Sequence, residues 1–482
     1  MQILSERVTL PHLAAAVAIG IVLRFVVGLE PLWWLAWVAP APLLILAFRT
    51  SATSAAGLTA LAALIGVSAN FHYFRLVMPL TATLIALTGQ VLLWVLVVVS
   101  SRRIVLRYQA WWTVLAYPLL WVMVDTLMAA LLPDGNWASL AYSQVEVLPL
   151  LQVTSLVGIA GVLFLLALVP SALAIGLVLG KGLQRAAWAY ALPPVLLFMA
   201  LAYGHARLRQ DASGHDTKFG LVAIDDAIGP HATPAYEEAI WRGYERQVAQ
   251  LATLGAHIIV LPEKIALQAP QAAQQTLRRL AVLAAKHRVW IEAGIGIDDG
   301  TRRRNMAWLL TPAGTLAAEY QKHFMAPPER EFAKGTAYSV SGIDGAAYGL
   351  AICKDMHFAV LGRDNGQRQV AVMLVPAWDF QLDRWMGSRI TLTRGVENGY
   401  SVVRSSREGL LTVSDRFGRV IAERGSAALP GAGMLATLRV GAPRATLYTR
   451  IGDLFAWSCV LAGCILMAVG RRSNECPRSS GK

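Results

Sequence analysis

Three side chains in the middle of the chain are of types that do covalent chemistry together. Leu261-Pro262-Glu263 closes one short β-branched run, Tyr320-Gln321-Lys322 closes a strand that follows the Pro312-Ala313-Gly314 turn, and Leu350-Ala351-Ile352-Cys353 closes a third. If these strands share one layered fold, a carboxylate, an ammonium and a thiol converge at one edge of a sheet. A thiol attacks as its thiolate, a carboxylate can take the proton, and a nearby ammonium favours the anion. Taken singly, each residue also has an ordinary structural role: Glu263 as a solvated loop carboxylate, Lys322 as a surface cation, Cys353 as a buried, inert thiol. Cysteine distribution favours the chemical reading. Cys459 and Cys464 lie in the last apolar stretch and Cys476 in the tail, so Cys353 is the single thiol between residues 205 and 450 and has no disulfide partner there. An unpaired thiol in an oxidising compartment is a liability unless it is used. With neither a second nearby cysteine nor a His-x-x-x-His spacing, no metal is expected.

The elements that must position these residues follow from periodicity. β-Branched runs at 218–224 and 257–261 flank a segment of helical spacing from about Pro234 to Leu254. The alternation continues with a helix near 271–287, strands near 289–295, 305–311, 348–353 and 371–376, and a helix near 384–398. That order fits an α/β layered sandwich.

The rest of the chain is of another kind. Of 482 residues, 56% are hydrophobic and 15% charged, against about 25% charged in ordinary soluble domains. Residues 205–450 hold 30 Lys/Arg and 23 Asp/Glu; the remaining residues share 13 and 7. One polar domain therefore interrupts a membrane protein. Collagen-like, disordered and disulfide-scaffold classes are excluded by the absence of repeats and the four sparse cysteines. Stretches long enough to span a bilayer, which takes about 20 residues, are expected at 10–28, 31–48, 53–73, 79–100, 110–132, 150–180 and 186–204, with an eighth at 453–470. The first is read as a retained helix, because six more follow and no clear small-residue cleavage site appears.

Basic residues accumulate on the cytoplasmic side of short loops. With the N-terminus inside, that side holds Arg7, Arg49, the Arg102, Arg103 and Arg107 cluster, Lys181, Arg185, and Arg471, Arg472, Arg478 and Lys482 of the tail; the outer short loops hold only Arg75. The net charge of +13 divides into +7 on residues 205–450 and +6 on the rest, where it carries topology rather than a nucleic-acid signal, and residues 205–450 fall on the outer face. The loop from Leu132 to Pro149 shares that side. Its Asn136, Trp137, Tyr142, Ser143 and Gln144 are candidates to line an opening, or, for the aromatics, an interfacial belt. Asp125, within the fifth stretch, is expected to face a protein or water-filled interior in a hydrogen-bonding role.

Leu-Pro-Glu263, Tyr-x-Lys322 and Ile-Cys353-x-Asp, in that order and spacing, resemble the Glu-Lys-Cys triad of the nitrilase, or carbon-nitrogen hydrolase, superfamily. Asn305, Val375-Pro376-Ala377-Trp378 and Arg394-x-x-Glu397-Asn398 add to the match. Pro118-Leu-Leu-Trp121, Asn136-Trp137, Ser143-Gln144, Leu151-Gln152 and Tyr448-Thr-Arg450-Ile-Gly452-Asp453 resemble the apolipoprotein N-acyltransferases, a bacterial inner-membrane family within it. The resemblance covers nearly the whole chain. It implies a multi-span α-helical membrane domain (1–204, seven helices), a periplasmic nitrilase-like αββα sandwich (205–450), and a final transmembrane helix with a cytoplasmic tail (451–482).

By the same resemblance, Glu263 is the base, Cys353 the nucleophile, and Lys322 with the backbone N–H of Lys354 the oxyanion stabilisers. Glu329 is the second carboxylate that positions Lys322 and substrate, with Glu331 as the alternative because the interval after Lys322 is short. The implied reaction moves an acyl chain from a membrane phospholipid through a Cys353 thioester to the N-terminal amine of a diacylglyceryl-cysteine lipoprotein, without metal, nucleotide or nucleic acid. Lys354-Asp355 stands where the family has Tyr-Glu, and Pro376-Ala-Trp-Asp379-Phe380 replaces an Asn-Asp-x-Trp-Phe segment; Asp379 is given no catalytic role. The alternatives are a membrane-anchored nitrilase-type amidase or hydrolase, an N-acyltransferase for another amine, and a non-enzymatic membrane protein with a binding-only domain.

Overall fold

The computed structural model describes residues 8–135, 137, 139–179, 187–210, 214–229 and 232–471. Expectations placed on Arg7, Asn136, Lys181, Arg185, the Arg471 side chain, Arg472, Cys476, Arg478 and Lys482 lie outside the described residues.

Six described helices are long and apolar enough to cross a membrane: Leu10–Val27, Ala52–Val77, Leu80–Tyr108, Trp111–Leu131, Ile159–Leu179 and Tyr190–Leu208. Hydropathy predicts seven before the polar domain, and the structure differs in two places. Residues 31–48 form a 3-10 turn at Leu35–Trp37 followed by a ten-residue helix, Pro40–Arg49. Pro40 opens that helix at the position where a missing N–H costs nothing. The expected single span 150–180 is broken into Leu148–Leu151, Thr154–Val157 and Ile159–Leu179. The break is at Gly158, whose φ of +68° suits glycine and where a Cβ would sit 2.6 Å from the Tyr448 ring. Helix Leu454–Arg471 is the last of the described elements, its apolar part Leu454–Gly470 being shorter than the six. At the end of the helices remote from the polar domain, Arg102 donates to the Ala47 and Thr50 carbonyls and Arg107 to that of Val469 at 2.9 Å. Cations there satisfy carbonyls that a helix C-terminus leaves open.

The strands run, in chain order, β1 His215–Ala223, β2 Ile258–Val260, β3 Ala266–Gln268, β4 Trp290–Asp298, β5 Arg303–Leu310, β6 Leu316–Gln321, β7 Val340–Ile343, β8 Ala346–Leu350, β9 Val372–Trp378, β10 Ser401–Arg407, β11 Leu410–Ser414, β12 Val420–Gly425 and β13 Ala432–Val440. They form two sheets, ordered β13-β1-β2-β4-β5-β6 with β3 beside β4, and β12-β11-β10-β9-β8-β7. Alternation along each strand builds two faces. In the first sheet Phe219, Leu221, Ile258, Val260, Ala307 and Leu309 meet Leu350, Leu374 and Val403 of the second, while Val222, Ile259, Ile291 and Trp308 meet helices Pro234–Thr253 and Pro270–His287. Helices Ala359–Gln367 and Arg384–Asn398 cover the second sheet, completing an αββα sandwich.

Helix Arg384–Asn398 belongs to both halves of the molecule. Its Met386, Ile390, Leu392 and Val396 are buried in one apolar cluster with the membrane helices. Arg394 and Glu397, both fully buried, pair at 2.8 Å. Arg394 also donates to the Tyr142 hydroxyl at 2.7 Å, and Glu397 accepts the Ile159 N–H at 3.0 Å. The Arg394-x-x-Glu397 motif is therefore a bolt between the two domains.

Tyr142 and Gln144 do not line an opening, and Ser143 borders a cavity of about 10 Å³ beside Trp137 and Leu140. All three are buried in a 3-10 segment, Leu140–Gln144, and Gln144 accepts from Trp37 and donates to the Trp33 carbonyl, each at 2.8 Å. Their polar atoms are spent inside the protein.

Candidate active site

Glu263 follows β2, Lys322 follows β6 and Cys353 follows β8, so two sheets contribute to one site. Close packing brings them together. The Glu263 N–H donates to the Ala377 carbonyl of β9 at 3.2 Å, tying the first sheet to the strand beside the cysteine. Behind Glu263 lies Gly294, where a Cβ would fall 2.5 Å from the Glu263 Cα; only glycine lets β4 pass that close. The Lys322 N–H donates to the Asn305 carbonyl at 2.9 Å.

Asp355 fastens the lysine segment to the cysteine turn. Its carboxylate accepts the backbone N–H groups of His323 (3.0 Å), Phe324 (2.8 Å) and Ile352 (3.0 Å), and the Tyr320 hydroxyl (2.8 Å). The aspartate two residues after the nucleophile is thus the clamp that sets the spacing between Lys322 and Cys353.

The ionic core is compact and almost dry. Lys322 donates to Glu263 at 2.7 Å and to Glu329 at 2.6 Å, with the three side chains 1–6% exposed. A second lysine, Lys264, pairs with Glu329 and lies over the Trp378 and Phe332 rings. Asn305 donates to Glu263 at 2.5 Å and to Glu329 at 3.0 Å. Two carboxylates and two ammoniums therefore balance in one buried cluster, which is what makes burying them tolerable. Burial opposes the Lys322 charge, but Glu263 and Glu329 outweigh it and hold the ammonium well above its usual range. Burial likewise opposes the Glu329 charge, and Lys322 and Lys264 outweigh it and hold the carboxyl below its usual range. Glu331 lies elsewhere, exposed and 3.2 Å from Arg303, so of the two candidates Glu329 stands beside Lys322.

Cys353 opens a 3-10 turn, Cys353–His357, with φ of +44°, the left-handed region that residues other than glycine rarely occupy. A nucleophile held on such an elbow is a recurrent form of strain at functional sites. Its thiol is buried and reaches the Trp378 carbonyl at 3.5 Å. Burial first, and the Glu263 charge next, push the thiol far up, while Lys322 and Arg404 pull it down. The resting group is protonated, so attack requires a base.

Several participants escape sequence reasoning. Lys264, adjacent to Glu263, reads as an ordinary surface cation. Tyr73 comes from the membrane domain: it stacks on Trp137 (centroids 4.8 Å apart), meets Phe380 edge-on at 6.4 Å and donates to Asp383. Asp383 is pushed up to about 6 by burial and the nearby Asp379. Asp379 is committed to Arg404 (2.5 and 2.9 Å) and Ser406 (2.9 Å). The Lys354 side chain pairs with Asp134 on the membrane-domain loop. No spacing signals Tyr73 or Asp134, because both meet the site only across the domain junction.

Residues 20–172 match the apolipoprotein N-acyltransferase N-terminal domain, and residues 224–425 match the carbon-nitrogen hydrolase family. The chain is an apolipoprotein N-acyltransferase-like member of the carbon-nitrogen hydrolase superfamily. It is similar to an apolipoprotein N-acyltransferase of Geobacter metallireducens, 26% identical over 396 residues and 75% of each chain. It is also similar to one of Bradyrhizobium diazoefficiens, 25% identical over 403 residues, 70% of this chain and 69% of that one. Among solved structures, an amidase from Nesterenkonia sp. aligns with 50% of this chain and 96% of its own at 19% identity and a TM-score of 0.41. The two family matches fall on the two halves that the fold joins through helix Arg384–Asn398.

Proposed function

We propose that this protein N-acylates lipoproteins by ping-pong acyl transfer, with Glu263, Lys322 and Cys353 as its catalytic residues. The observation that carries the reading is the buried Glu263–Lys322–Glu329 cluster beside the buried Cys353 thiol, inside a chain whose residues 20–172 match the apolipoprotein N-acyltransferase N-terminal domain and whose residues 224–425 match the carbon-nitrogen hydrolases.

In the first half-reaction the Cys353 sulfur attacks a phospholipid ester carbonyl while Glu263 takes the thiol proton. The oxyanion forms against Lys322 and the N–H of Lys354, which sits in the first turn of the 3-10 segment where N–H groups lack an internal acceptor. Collapse breaks the ester C–O bond, Glu263 returns the proton to the leaving glycerol oxygen, and the acyl chain remains as a thioester. In the second, the neutral α-amino group of a diacylglyceryl-cysteine attacks that thioester. Glu263 removes the amine proton, the C–S bond breaks, and the thiolate, stabilised by Lys322, recovers a proton from Glu263. Glu329, Lys264 and Asn305 hold Lys322 and Glu263 in place. The aromatic layer of Tyr73, Trp137 and Phe380 keeps water from a thioester that hydrolysis would waste.

The topology that suits this chemistry puts residues 1–204 and 451–482 in and across the inner membrane and the 205–450 domain on its periplasmic face, where both substrates lie. The distribution of basic residues supports it. The test is a product assay: purified protein, phosphatidylethanolamine and a diacylglyceryl-cysteinyl lipopeptide, separated and weighed by mass spectrometry. The expected product is the N-acyl lipopeptide with wild type and none with Cys353→Ala. Accumulation of free fatty acid without acylated peptide would overturn the reading in favour of a hydrolase.

A further inference from the structure

Arginines gather where the end of helix Tyr190–Leu208 meets two segments of the catalytic domain. Three guanidinium groups lie on the one ring of Phe417, in the turn after β11: Arg207, from the helix, at 5.6 Å from the ring centroid, and Arg416 and Arg419 at 5.0 Å each. Beside that ring, Arg207, Arg416 and Arg444 line a cavity of about 190 Å³ together with Tyr203, Gln210 and Thr446. Its described lining holds no carboxylate, and none of Glu263, Lys322 or Cys353. The segment that carries Arg444, after β13, is held close: Gly399 has φ of +82°, and a Cβ there would fall 2.1 Å from the Arg444 carbonyl oxygen.

The charges in this cluster do not balance. Asp415, in the same turn as Phe417, is spent on Arg419 at 3.1 Å and on the N–H groups of Phe417 and Arg419, each at 2.9 Å. Arg207 is 8% exposed and donates to two neutral oxygens, Gln152 Oε1 at 2.9 Å and the Val396 carbonyl at 3.3 Å, which uses two of the five donors of a guanidinium. Among the described residues no carboxylate pairs with Arg207 or with Arg444. Burial, and next the Arg444 charge, lower the Arg416 guanidinium from its usual range, with Asp415 opposing. Val396 lies near the C-terminal end of helix Arg384–Asn398, so part of the Arg207 charge answers that end of the helix; Arg444 has no such use. A cation withdrawn from water is tolerated when an anion accompanies it. At about 190 Å³ the cavity is below the range of about 300–1,000 Å³ usual for drug-sized ligands, too small for acyl chains and ample for a tetrahedral oxyanion, whose oxygens match the guanidinium fork in pairs.

We propose that Arg207, Arg416 and Arg444 form a binding site for a phosphate-type oxyanion. Bound there, the anion fastens the end of helix Tyr190–Leu208 to the turn after β11 and to the segment after β13. It is a structural ligand, and the site stands whether or not the chain transfers acyl groups. Free phosphate and the phosphodiester of a lipid headgroup share this chemistry.

The experiment uses the full chain in neutral detergent, stripped until its native mass shows no bound lipid. Thermal melting is followed against inorganic phosphate at low millimolar concentration, with sodium chloride keeping the ionic strength constant, because phosphate at high concentration stabilises proteins without a site. The expected result is a saturable rise in melting temperature, as binding to the folded state alone requires. Arg444→Gln, at an exposed position, is expected to weaken the apparent affinity about tenfold, Arg207→Gln to abolish the response, and Arg278→Gln, an exposed cation elsewhere, to leave it unchanged. Phosphatidylglycerol is then added to wild type: loss of the phosphate response assigns the site to a headgroup, and a retained response assigns it to free phosphate, the site standing in both. Protection no greater than that of matched chloride, or equal in wild type, Arg207→Gln and Arg444→Gln, would overturn it.

Discussion

Glu263→Gln separates the roles of the buried cluster. The side chain keeps its shape and retains an oxygen to accept from Lys322 and Asn305, now 2.7 and 2.5 Å away, but loses its basicity and its charge. Loss of a positioned general base costs about 10²–10⁴ in rate, or about 3–5 kcal/mol of barrier. The charge change acts in the opposite direction on the nucleophile. The Glu263 charge is the second cause, after burial, that pushes the Cys353 thiol up, and Lys322 pulls it down; with Glu263 neutral, burial still holds the thiol up, but Lys322 is no longer opposed by that charge and the thiol becomes more acidic than in wild type. The variant is therefore expected to form its thioester at least about a hundredfold more slowly, yet to be alkylated by iodoacetamide at a lower pH than wild type. Two assays on one sample, adduct formation with phospholipid and alkylation rate against pH, give both numbers. Acylation within tenfold of wild type, or an alkylation profile displaced to higher pH, would refute the assignment of Glu263 as base.

Asp355→Asn turns the clamp's acceptor oxygens partly into donors facing three N–H groups and a hydroxyl; a loss of about 2–3 kcal/mol in stability and a larger proportional loss of acylation are expected, read by thermal melting in detergent and by the product assay. Arg394→Ala strands Glu397, which burial has already pushed up to about 7, and breaking such a pair costs about 3–5 kcal/mol. Because the folded carboxyl binds its proton more tightly than the unfolded one, stability is full below the ordinary carboxylate range and is lost as pH rises from there through the raised folded value, so the variant is expected to melt lower at pH 8 than at pH 6; a pH-independent loss would contradict this. Both oxygens of Glu292 are buried between the sheets without a hydrogen-bond partner among the described residues, and burial alone raises its carboxyl well above the usual range. By the same sign, Glu292→Leu is expected to raise the melting temperature, more at pH 8 than at pH 5, and an equal or opposite change would show that the carboxyl finds a partner.

What the sequence disclosed, and what it hid, divides by the range of the interactions. Strand ends and amphipathic helices are local, so Glu263, Lys322 and Cys353 were placed correctly at three strand exits, and the helix near 384–398 matches Arg384–Asn398. Glu329 carries a local signal as well, and it pairs with Lys264 and Lys322 whereas Glu331 pairs with Arg303. Hydropathy alone missed the interruptions at Pro40 and Gly158, because both segments remain apolar while the backbone changes direction. It also misread Tyr142 and Gln144, polar residues in a loop whose partners, Arg394 and Trp37, come from distant segments. Tyr73 over the thiol region and Asp134 on Lys354 had no signal at all, since each has meaning only once the membrane domain is seated on the catalytic one.

The central claim, that Cys353 carries the acyl group, is tested most directly by the intact mass of the protein after exposure to phospholipid alone. One added fatty acyl group is expected on wild type, mapped to Cys353, absent from Cys353→Ala, and discharged when a diacylated lipopeptide is added. No adduct on wild type, or an equal adduct on Cys353→Ala, would contradict it.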